Sequence, residues 1–554
     1  MRIGYSGNKQ LLLGALCAAT AFMSPSANAQ AFGFDDFTVV RDGATELDQD
    51  HEKPRMVARG DFALLTWETK KSDGKWHILF SRTTDGGETW SAPLTIASNT
   101  KSKPRPKAAI GGSEYLICYS DGNANGGDMK ALHSANFESA STAADIVWSL
   151  STVFADPIAG LAQLDGEPAG DEVGNFVVIW EGEHLDIFSV FSSSSTDGVT
   201  WSPPVVVSNW TDAGDVTEDG DCRIAYGDGA FVTTFKSGNS DLTSGPRIDE
   251  DVFVSVSTDN GATWSANPIP VHDWSETDVS DDDNPHIQFG AGKFMVVWNS
   301  AVDIDGTGND GDIMASIASS SDLTAWTTSV VNDGINDGGT IDEEPDVSVD
   351  GAGNWMVIWA SDLYDLNFDV LAATSTDGVT WAQGAGAVGG LNDVEEDEAS
   401  TAASGNGTFY VAWIWDQINV QVSVTSIVEG TEGDEEITAS FDGFVEEGDN
   451  ISLTAPAGGS NYQWLVNGFP LTDDEPRVTG TTTQTLTFNP VLESDSGVYT
   501  VQYEDGAKAI VVSPAFELNV LPPNSLPVAG MLGLGLLSGL VTAIGVTRIR
   551  KRAE

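Results

Sequence analysis

The sequence is short of positive charge. It contains 25 lysine and arginine residues against 83 aspartate and glutamate residues, which gives a formal net charge of −58 over 554 residues. So acidic a surface argues against binding nucleic acid or an anionic membrane through a general basic face. It favours solubility at high salt and weak capture of divalent cations. The composition therefore indicates a salt-adapted, secreted protein.

Cysteine is scarce, and long amphipathic helical patterns are missing. Of three cysteines, Cys17 lies in an apparent export signal, and Cys118 and Cys222 fall in different repeats. We therefore expect two small core residues and no disulfide. The remaining pattern is one of short alternating runs separated by Gly/Asp turns, which indicates an all-β fold. A hydrophobic content of 40% is enough to bury a core.

Residues 1–29 have the pattern of a Sec signal peptide. Arg2 and Lys9 supply the positive start, residues 11–22 supply the apolar stretch, and Ala27-Asn-Ala29 supplies the small-residue cleavage site. The pattern predicts export of the mature chain.

Residues 527–554 predict a membrane anchor behind a short linker, residues 521–526. An uncharged run, residues 528–547, is long enough for a transmembrane helix, and the basic cluster of residues 548–552 keeps its end cytoplasmic. The segment resembles bacterial C-terminal sorting signals of the PEP-CTERM class, which exosortases process, and the LPxTG signals of sortases. It lacks Pro-Glu-Pro and has Ala529 where LPxTG needs threonine, so a permanent tail anchor is the alternative.

Two series of aromatic residues recur along the chain at intervals of roughly 50 to 65 residues, a period that marks a ring or stack of supersecondary units. The first series closes an apolar run each time: Trp67, Tyr119, Trp180, Phe235, Trp298, Trp359 and Trp413. The second series follows in step, mostly after an Asp/Gly turn: Trp90, Trp148, Trp201, Trp264, Trp326 and Trp381. Four short strands per unit predict a β-propeller over residues 36–428. We expect seven blades, with six as the alternative, and expect the strand at residues 37–40 to complete the last blade.

The turns before these tryptophans carry a family resemblance. Thr83–Trp90 and Ser257–Trp264 fit Ser/Thr-x-Asp-x-Gly-x-Thr-Trp, and related copies occur in three further units. This pattern resembles the Asp-box of sialidases and related propellers, in which it is a structural turn away from the active site. The resemblance implies structural roles for Asp85, Trp90, Asp197, Trp201, Asp259, Trp264, Asp322, Trp326, Asp377 and Trp381.

The sialidase resemblance also raises the question of catalysis. The family grips a carboxylate with three arginines, and Arg55, Arg105 and Arg223 near the starts of first strands are the candidates here. The other strand starts are acidic, and no Tyr–Glu nucleophile pair is identifiable. We therefore expect a cell-surface propeller that binds extracellular glycans or proteins without catalysis. An exo-α-sialidase-type glycoside hydrolase is the alternative.

Two further segments carry predictions. A glycine-rich loop offers hard oxygen ligands suited to Ca²⁺, and its candidates are Asp303, Asp305, Asn309, Asp310 and Asp312. Residues 430–520 resemble an immunoglobulin-like domain: Trp464 matches the core tryptophan, and Asp495-x-Gly-x-Tyr499 matches the tyrosine corner. Ala455 and Val501 stand where that family has its disulfide cysteines, so we expect a stalk held together by apolar packing.

Overall fold

The computed structural model describes most of the chain between residues 38 and 521. The described residues are 38–42, 50–99, 104–123, 126–155, 163–184, 187–209, 218–238, 250–272, 281–301, 311–332, 341–362, 368–383, 396–404, 408–415, 419–426, 431–432, 437–439, 441, 444–466, 469–471, 477–492, 495–504, 510–513 and 516–521. Within these ranges there is one short 3₁₀ turn, Ala143–Asp145, and no helix long and apolar enough to cross a membrane. The predicted signal peptide and anchor lie outside the described residues.

The region up to residue 426 forms seven four-stranded antiparallel sheets. Sheet 1 comprises β2 (Asp50–Arg59), β3 (Phe62–Lys70), β4 (Trp76–Thr83) and β5 (Leu94–Asn99). Sheet 2 comprises β6 (Lys107–Gly111), β7 (Glu114–Asn123), β8 (Gly126–Ser134) and β9 (Ser149–Phe154). Sheet 3 comprises β10 (Gln163–Gly170), β11 (Phe176–His184), β12 (Ile187–Ser195) and β13 (Val205–Val206). Sheet 4 comprises β14 (Asp219–Gly227), β15 (Ala230–Ser237), β16 (Asp251–Ser257) and β17 (Ile269–Pro270).

The remaining three sheets repeat the same strand order. Sheet 5 comprises β18 (Asp282–Gly290), β19 (Lys293–Ser300), β20 (Asp312–Ser319) and β21 (Thr327–Val330). Sheet 6 comprises β22 (Asp342–Val349), β23 (Trp355–Ser361), β24 (Asp369–Ser375) and β25 (Ala382–Gln383). Sheet 7 comprises β26 (Glu396–Ala403), β27 (Thr408–Trp415), β28 (Asn419–Ser426) and the N-terminal strand β1 (Thr38–Asp42).

The sheets follow one another in cyclic order. The first strand of each sheet contacts the first strand of the next, and β26 contacts β2. Strand β1 pairs antiparallel with β28, with Thr38 opposite Val422, so sheet 7 takes its outer strand from the other end of the region. Pairing of the N-terminal strand with the last sheet was predicted from the sequence, and the structure confirms it. This strand protects an edge that would otherwise be open to other chains.

Apolar residues of adjacent sheets form separate cores between them. The aromatic of the first series lies on the second strand of each sheet, and Trp67, Trp180, Trp298, Trp359 and Trp413 are all 0% exposed. A hydrophobic cluster fills each gap between neighbouring sheets, including the gap between sheets 7 and 1. Cys118 and Cys222 are free, buried members of two of these clusters. The all-β, propeller-like architecture predicted from the sequence is confirmed.

The last described part of the chain folds into two further sheets around a core of its own. One sheet comprises β29 (Thr431–Glu432), β31 (Phe444–Glu446), β33 (Ser460–Val466), β34 (Phe469–Pro470), β37 (Gly497–Glu504), β38 (Ile510–Val512) and β39 (Phe516–Leu521). The other comprises β30 (Thr438–Ala439), β32 (Ile451–Thr454), β35 (Val478–Thr479) and β36 (Thr485–Phe488). Trp464 is fully buried in the core, and the Tyr499 hydroxyl donates to Asp495 O at 2.8 Å. Ala455 and Val501 pack in the same core.

Candidate functional site

The first strand carries a β-bulge near its start in six of the seven sheets, the exception being β6 of sheet 2. In six sheets, one non-glycine residue just before the strand resumes has a positive φ near 50°: Lys53, Arg105, Asp165, Asp221, Asn284 and Glu344. This conformation is costly for residues with a Cβ, so its repetition indicates a built feature of the fold. The next residue is buried in each case: Pro54, Pro106, Gly166, Cys222, Pro285 and Pro345.

The residue after the buried one faces the central axis. These side chains, with Ser400 from sheet 7, form what we call the axial ring: Arg55, Lys107, Glu167, Arg223, His286, Asp346 and Ser400. All seven line one cavity of about 340 Å³, which continues between the first strands past small and apolar residues. The bulge thus aims one side chain per sheet into a cleft of small-molecule size.

Three of the seven members of the axial ring form a hydrogen-bonded chain. The Arg223 Nε donates to His286 Nε2 at 3.0 Å, and His286 Nδ1 lies 2.9 Å from Asp346 Oδ1. Burial and the neighbouring Arg223 guanidinium lower the pKa of His286. Although burial opposes it, His286 holds the pKa of Asp346 below its usual range. The imidazole is therefore neutral and both of its nitrogens are engaged.

The adjoining part of the ring, from sheets 2 and 3, holds a buried ion pair. Lys107 is 4% exposed, and its Nζ lies 3.0 Å from Glu167 Oε2. The same carboxylate oxygen lies 3.8 Å from Arg223 Nε. Glu167 is thus shared between two cations, one on each side.

Arg55 differs from the other two cations of the ring. Its Nη1 donates to Pro54 O at 2.8 Å, and its Nε is buried with no hydrogen-bond partner among the described residues. No carboxylate oxygen among the described residues lies within 4 Å of its guanidinium. The axial ring therefore contains three cations against two carboxylates, a local positive balance inside a strongly acidic protein.

The charged side chains of the rim, above the ring, mostly form ion pairs with one another. Arg105 pairs with Asp165, and Lys53 Nζ lies 3.7 Å from Glu344 Oε1 across the opening. Lys236 lies at 3.0, 3.0 and 2.6 Å from the carboxylates of Asp221, Glu250 and Asp283. An incoming ligand would therefore meet paired charges at the rim, and below them a guanidinium with no carboxylate partner in the described part of the chain.

The structure shows where the three candidate arginines lie. The second unit contains two overlapping basic tripeptides, Lys103-Pro-Arg105 and Arg105-Pro-Lys107, and the second of them occupies the position of Lys53-Pro-Arg55. Of the three candidate arginines, Arg55 and Arg223 line the axial cavity. Arg105 belongs to the rim layer and is bound to Asp165, so the structure does not bring the three arginines together. Lys107, His286 and Asp346 were not identified from the sequence.

Two glutamates brace the bulges from neighbouring sheets. Glu68 accepts the backbone N–H of Arg105 at 2.6 Å, and Glu181 accepts that of Asp221 at 2.6 Å. Burial and the carboxylates of Asp165 and Asp221 raise the pKa of Glu181 to about 7. Although burial opposes it, Lys107 and Arg105 hold the pKa of Asp165 below its usual range. Neighbouring carboxylates whose pKa values shift in opposite directions are typical of acid–base sites. Glu68 and Glu181 make equivalent bonds to bulge N–H groups, so the contact of Glu181 with Asp221 is a structural one.

A second groove opens at the other end of the first strands, with a volume of about 760 Å³. Arg59, Glu172 and Tyr226 are among the residues that line it. Burial and Glu172 raise the pKa of Tyr226 to about 12. A tyrosine held protonated in this way is not an activated nucleophile.

The calcium prediction concerns a loop that is mostly undescribed. Asp303, Asp305, Asn309 and Asp310 lie outside the described residues. Asp312 starts β20, is 2% exposed, and its Oδ1 accepts a bond from Asn332 Nδ2 at 3.2 Å. Asp312 is therefore directed into the gap between sheets.

The Asp/Gly turns connect third and fourth strands. Asp259 accepts the Thr263 N–H at 2.8 Å and the Thr263 hydroxyl at 2.6 Å, and Asp85 does the same with Thr89. The following tryptophan reaches the preceding sheet, because Trp264 Nε1 donates to Ser192 Oγ at 2.8 Å. Comparable links join Trp201 to Ser151 and Trp381 to Ser329. Asp322 and Trp326 form only local bonds, the latter to Leu323 O.

No protein-family model and no curated protein matches the sequence. Solved structures do resemble the fold. A protein of unknown function from Dyadobacter fermentans DSM 18053 aligns over 72% of this chain and 100% of its own, with 11% identity and a TM-score of 0.40. The alpha-L-arabinanase of Penicillium chrysogenum, complexed with arabinobiose, aligns over 71% and 98%, with 11% identity and a TM-score of 0.38. The Hadza microbial sialidase Hz136 aligns over 66% and 74%, with 13% identity and a TM-score of 0.39. At this similarity, the likeness concerns the fold alone.

Proposed function

We propose that this chain is an exported, surface-anchored seven-bladed propeller that binds an anionic group of an extracellular glycan in its axial cavity, without catalysis. The observation that carries the proposal is the Arg55 guanidinium, which faces the cavity and has no carboxylate within 4 Å among the residues that the structure describes, while the rim cations are paired. An arginine fork is suited to bidentate binding of a carboxylate or sulfate. Inside a cavity, this interaction is stronger than at an open surface.

The remaining groups of the axial ring favour binding over turnover. His286 is held between Arg223 and Asp346, and Glu167 lies between two cations. A group engaged on every side is poorly placed to take a proton from a ligand. We therefore assign these residues to shaping and neutralising the cavity, and Arg55 to contacting the ligand.

Titration calorimetry of the full chain would test the proposal. We expect sialyllactose or an oligogalacturonide to bind, lactose not to bind, and Arg55→Ala to weaken binding about 10-fold or more, since a charged hydrogen bond contributes about 1.5–3 kcal/mol. Arg105→Ala is the matched control, because Arg105 is paired with Asp165 away from the cavity. Equal binding of acidic and neutral sugars, or an unaffected Arg55→Ala, would overturn the proposal. Binding of polyglutamate alone would indicate a protein ligand instead.

An exo-α-sialidase-type glycoside hydrolase is the second candidate, supported by the placement of Arg55 and Arg223 in one axial cavity. The test is release of the fluorophore from a fluorogenic sialoside by the full chain. Turnover that is lost in Arg55→Ala would establish this candidate. A folded chain without turnover that still binds the acidic sugar supports the binding function.

The rest of the proposal concerns display on the cell. The Asp/Gly turns serve as Asp-boxes that link neighbouring blades, and the last two sheets form an immunoglobulin-like stalk. Support for the stalk comes from the buried Trp464 and from the Tyr499 bond to Asp495 O. The C-terminal segment would hold the chain in the membrane, either permanently or until an exosortase- or sortase-like enzyme processes it. Cell fractionation with and without residues 527–554 tests this anchoring.

A further inference from the structure

A second cluster of polar side chains is buried between sheets 4 and 5, away from the axial cavity. It comprises Asp251 at the start of β16, His272 just after β17 and Asp282 at the start of β18, and we call it the Asp–His–Asp cluster. Asp251 and Asp282 are 0% exposed and His272 is 5% exposed. One ligand atom from each lies within 4.8 Å of the other two. His272 Nε2 is 2.7 Å from Asp282 Oδ2.

The next sheet provides an internal comparison. Asp312, Asn332 and Asp342 occupy the same positions, and we call them the Asp–Asn–Asp cluster. The equivalence follows from the backbone: Val271 N–H donates to Val252 O before His272, and Val331 N–H donates to Ile313 O before Asn332. The two clusters therefore differ mainly in one residue, His272 in place of Asn332.

Hydrogen-bond donors compensate the carboxylates of the Asp–Asn–Asp cluster. Asn332 Nδ2 donates to Asp312 Oδ1 at 3.2 Å and to Asp342 Oδ2 at 2.8 Å. The indole Nε1 of Trp359 donates to Asp342 Oδ1 at 2.9 Å. Two buried carboxylates are stabilised here by N–H groups, as buried charge requires.

The Asp–His–Asp cluster has a different set of contacts. Trp298, the counterpart of Trp359, stacks on His272 with ring centroids 5.3 Å apart, and its Nε1 finds no hydrogen-bond partner within the described part of the chain. Both carboxylate oxygens of Asp282 are buried and accept no hydrogen bond of regular geometry there. An imidazole and two carboxylates, gathered in a buried gap between two sheets, match the ligands of a transition-metal site.

We propose that Asp251, His272 and Asp282 bind one divalent transition-metal ion, with Zn²⁺ as the best fit. Tetrahedral Zn²⁺ sites use imidazole nitrogen and carboxylate oxygen at about 2.0–2.2 Å. Ligand atoms already within 4.8 Å of one another need only side-chain adjustments to reach such a site. A dication with neutral His272 cancels the two buried negative charges. The second oxygen of Asp282 or a water molecule completes the coordination, and the ion cross-links sheets 4 and 5 as a structural element.

The experiment is metal analysis by mass spectrometry of the full chain, produced with Zn²⁺ and dialysed against a weak chelator. We expect one zinc per wild-type chain and none in His272→Asn, which copies the donor set of the Asp–Asn–Asp cluster and should therefore fold. Asn332→His, the reciprocal change, should raise the content to two. Circular dichroism verifies folding of each variant, and Co²⁺ loading should give the visible absorption bands of a tetrahedral site in wild type and not in His272→Asn.

The proposal also predicts a change in stability that is independent of any ligand in the axial cavity. Removal of the metal with a strong chelator should lower the melting temperature of the wild type and leave that of His272→Asn unchanged. Equal zinc in wild type and His272→Asn would show that surface carboxylates hold the metal, and would overturn the proposal. A folded wild type without zinc, or a folded Asn332→His with no added zinc, would overturn it as well.

Discussion

The Nε of Arg223 lies 3.0 Å from Nε2 of His286, and because a guanidinium can only donate, the imidazole must accept at that nitrogen. The proton of His286 therefore sits on Nδ1 and is directed at Asp346 Oδ1, 2.9 Å away. Three sheets are joined through one neutral histidine inside the axial cavity. This link between the sheets therefore depends on the protonation state of His286 as well as on packing.

This relationship predicts how stability responds to acid. Burial and Arg223 lower the pKa of His286 in the folded chain, so the unfolded chain takes up a proton first as the pH falls below about 6.5. Stability from this group is present above that pH and is lost on acidification. The free energy of unfolding should fall between pH 7 and 5 by up to about 1.4 kcal/mol per pH unit more in wild type than in His286→Gln.

Denaturant unfolding followed by tryptophan fluorescence at several pH values measures this difference. Glutamine can accept from Arg223 and donate to Asp346 without titrating, so it is the appropriate replacement. Parallel pH profiles for the two proteins would contradict the assigned role of His286.

Glu181 should show the opposite dependence. Its pKa is raised to about 7 in the folded chain, so the stability tied to its protonated form is full at low pH and is lost as the pH rises through 7. Glu181→Gln keeps an acceptor for the Asp221 N–H and removes the charge. The free energy of unfolding of the variant, relative to that of wild type, should increase as the pH rises from about 4.5. Above pH 7 the variant should be about 1–3 kcal/mol more stable than wild type.

Glu68→Gln is the matched control for this substitution. Glu68 accepts the equivalent backbone N–H, but its charge acts on Arg105. Its replacement should be neutral or destabilising across the same pH range. A Glu181→Gln variant that loses stability at pH 8 would contradict the prediction.

The close approach of first strands near the axis is set partly by glycine. A Cβ on Gly170 would lie 2.5 Å from Ile110 O and 2.6 Å from the Gly111 Cα, both backbone atoms of the neighbouring sheet. Gly170→Ala should therefore destabilise the chain by about 1–3 kcal/mol or more, as overpacking does. Gly220→Ala is the control, because its nearest neighbour is a Glu181 side-chain atom at 3.7 Å. Thermal melting of the two variants compares them directly, and equal melting temperatures would show that the strands can move apart.

The sequence predicted the fold better than the site. The aromatic series and the Asp/Gly turns are local patterns, and they placed the second strands and the 3→4 turns correctly. The axial ring depends on a bulge that inserts one extra residue before the facing residue, as between Glu52 and Arg55 in β2. The second unit contains two overlapping basic tripeptides, Lys103-Pro-Arg105 and Arg105-Pro-Lys107. Both resemble Lys53-Pro-Arg55, and local sequence does not show which of them has the same position in the fold. The recurrence of a small or proline residue before the facing residue was a usable signal.

Local sequence patterns do not predict the contacts between residues of neighbouring sheets. The Asp–His–Asp cluster joins residues from two strands and the end of a third, and nothing in their spacing shows that the ends of β16, β17 and β18 meet. The pairing of Arg105 with Asp165 likewise depends on contact between neighbouring sheets. Such contacts follow from ring geometry, which a single sequence does not specify.

The Asp/Gly turns provide a last prediction, on how the sheets are held together. Asp259 accepts bonds from Thr263, and this fixes the turn that brings Trp264 Nε1 to Ser192 Oγ in sheet 3. Asp259→Ala should lower stability by about 1 kcal/mol or more, since it removes carboxylate bonds to the turn much like the loss of a helix cap. Asp322→Ala should cost clearly less, because among the described residues the Asp322 carboxylate accepts bonds from Thr324 alone, and Trp326 donates within its own turn. Chemical unfolding of both variants against wild type measures the difference. If the two substitutions cost the same, the turn contributes locally and the link between sheets depends on the tryptophan alone.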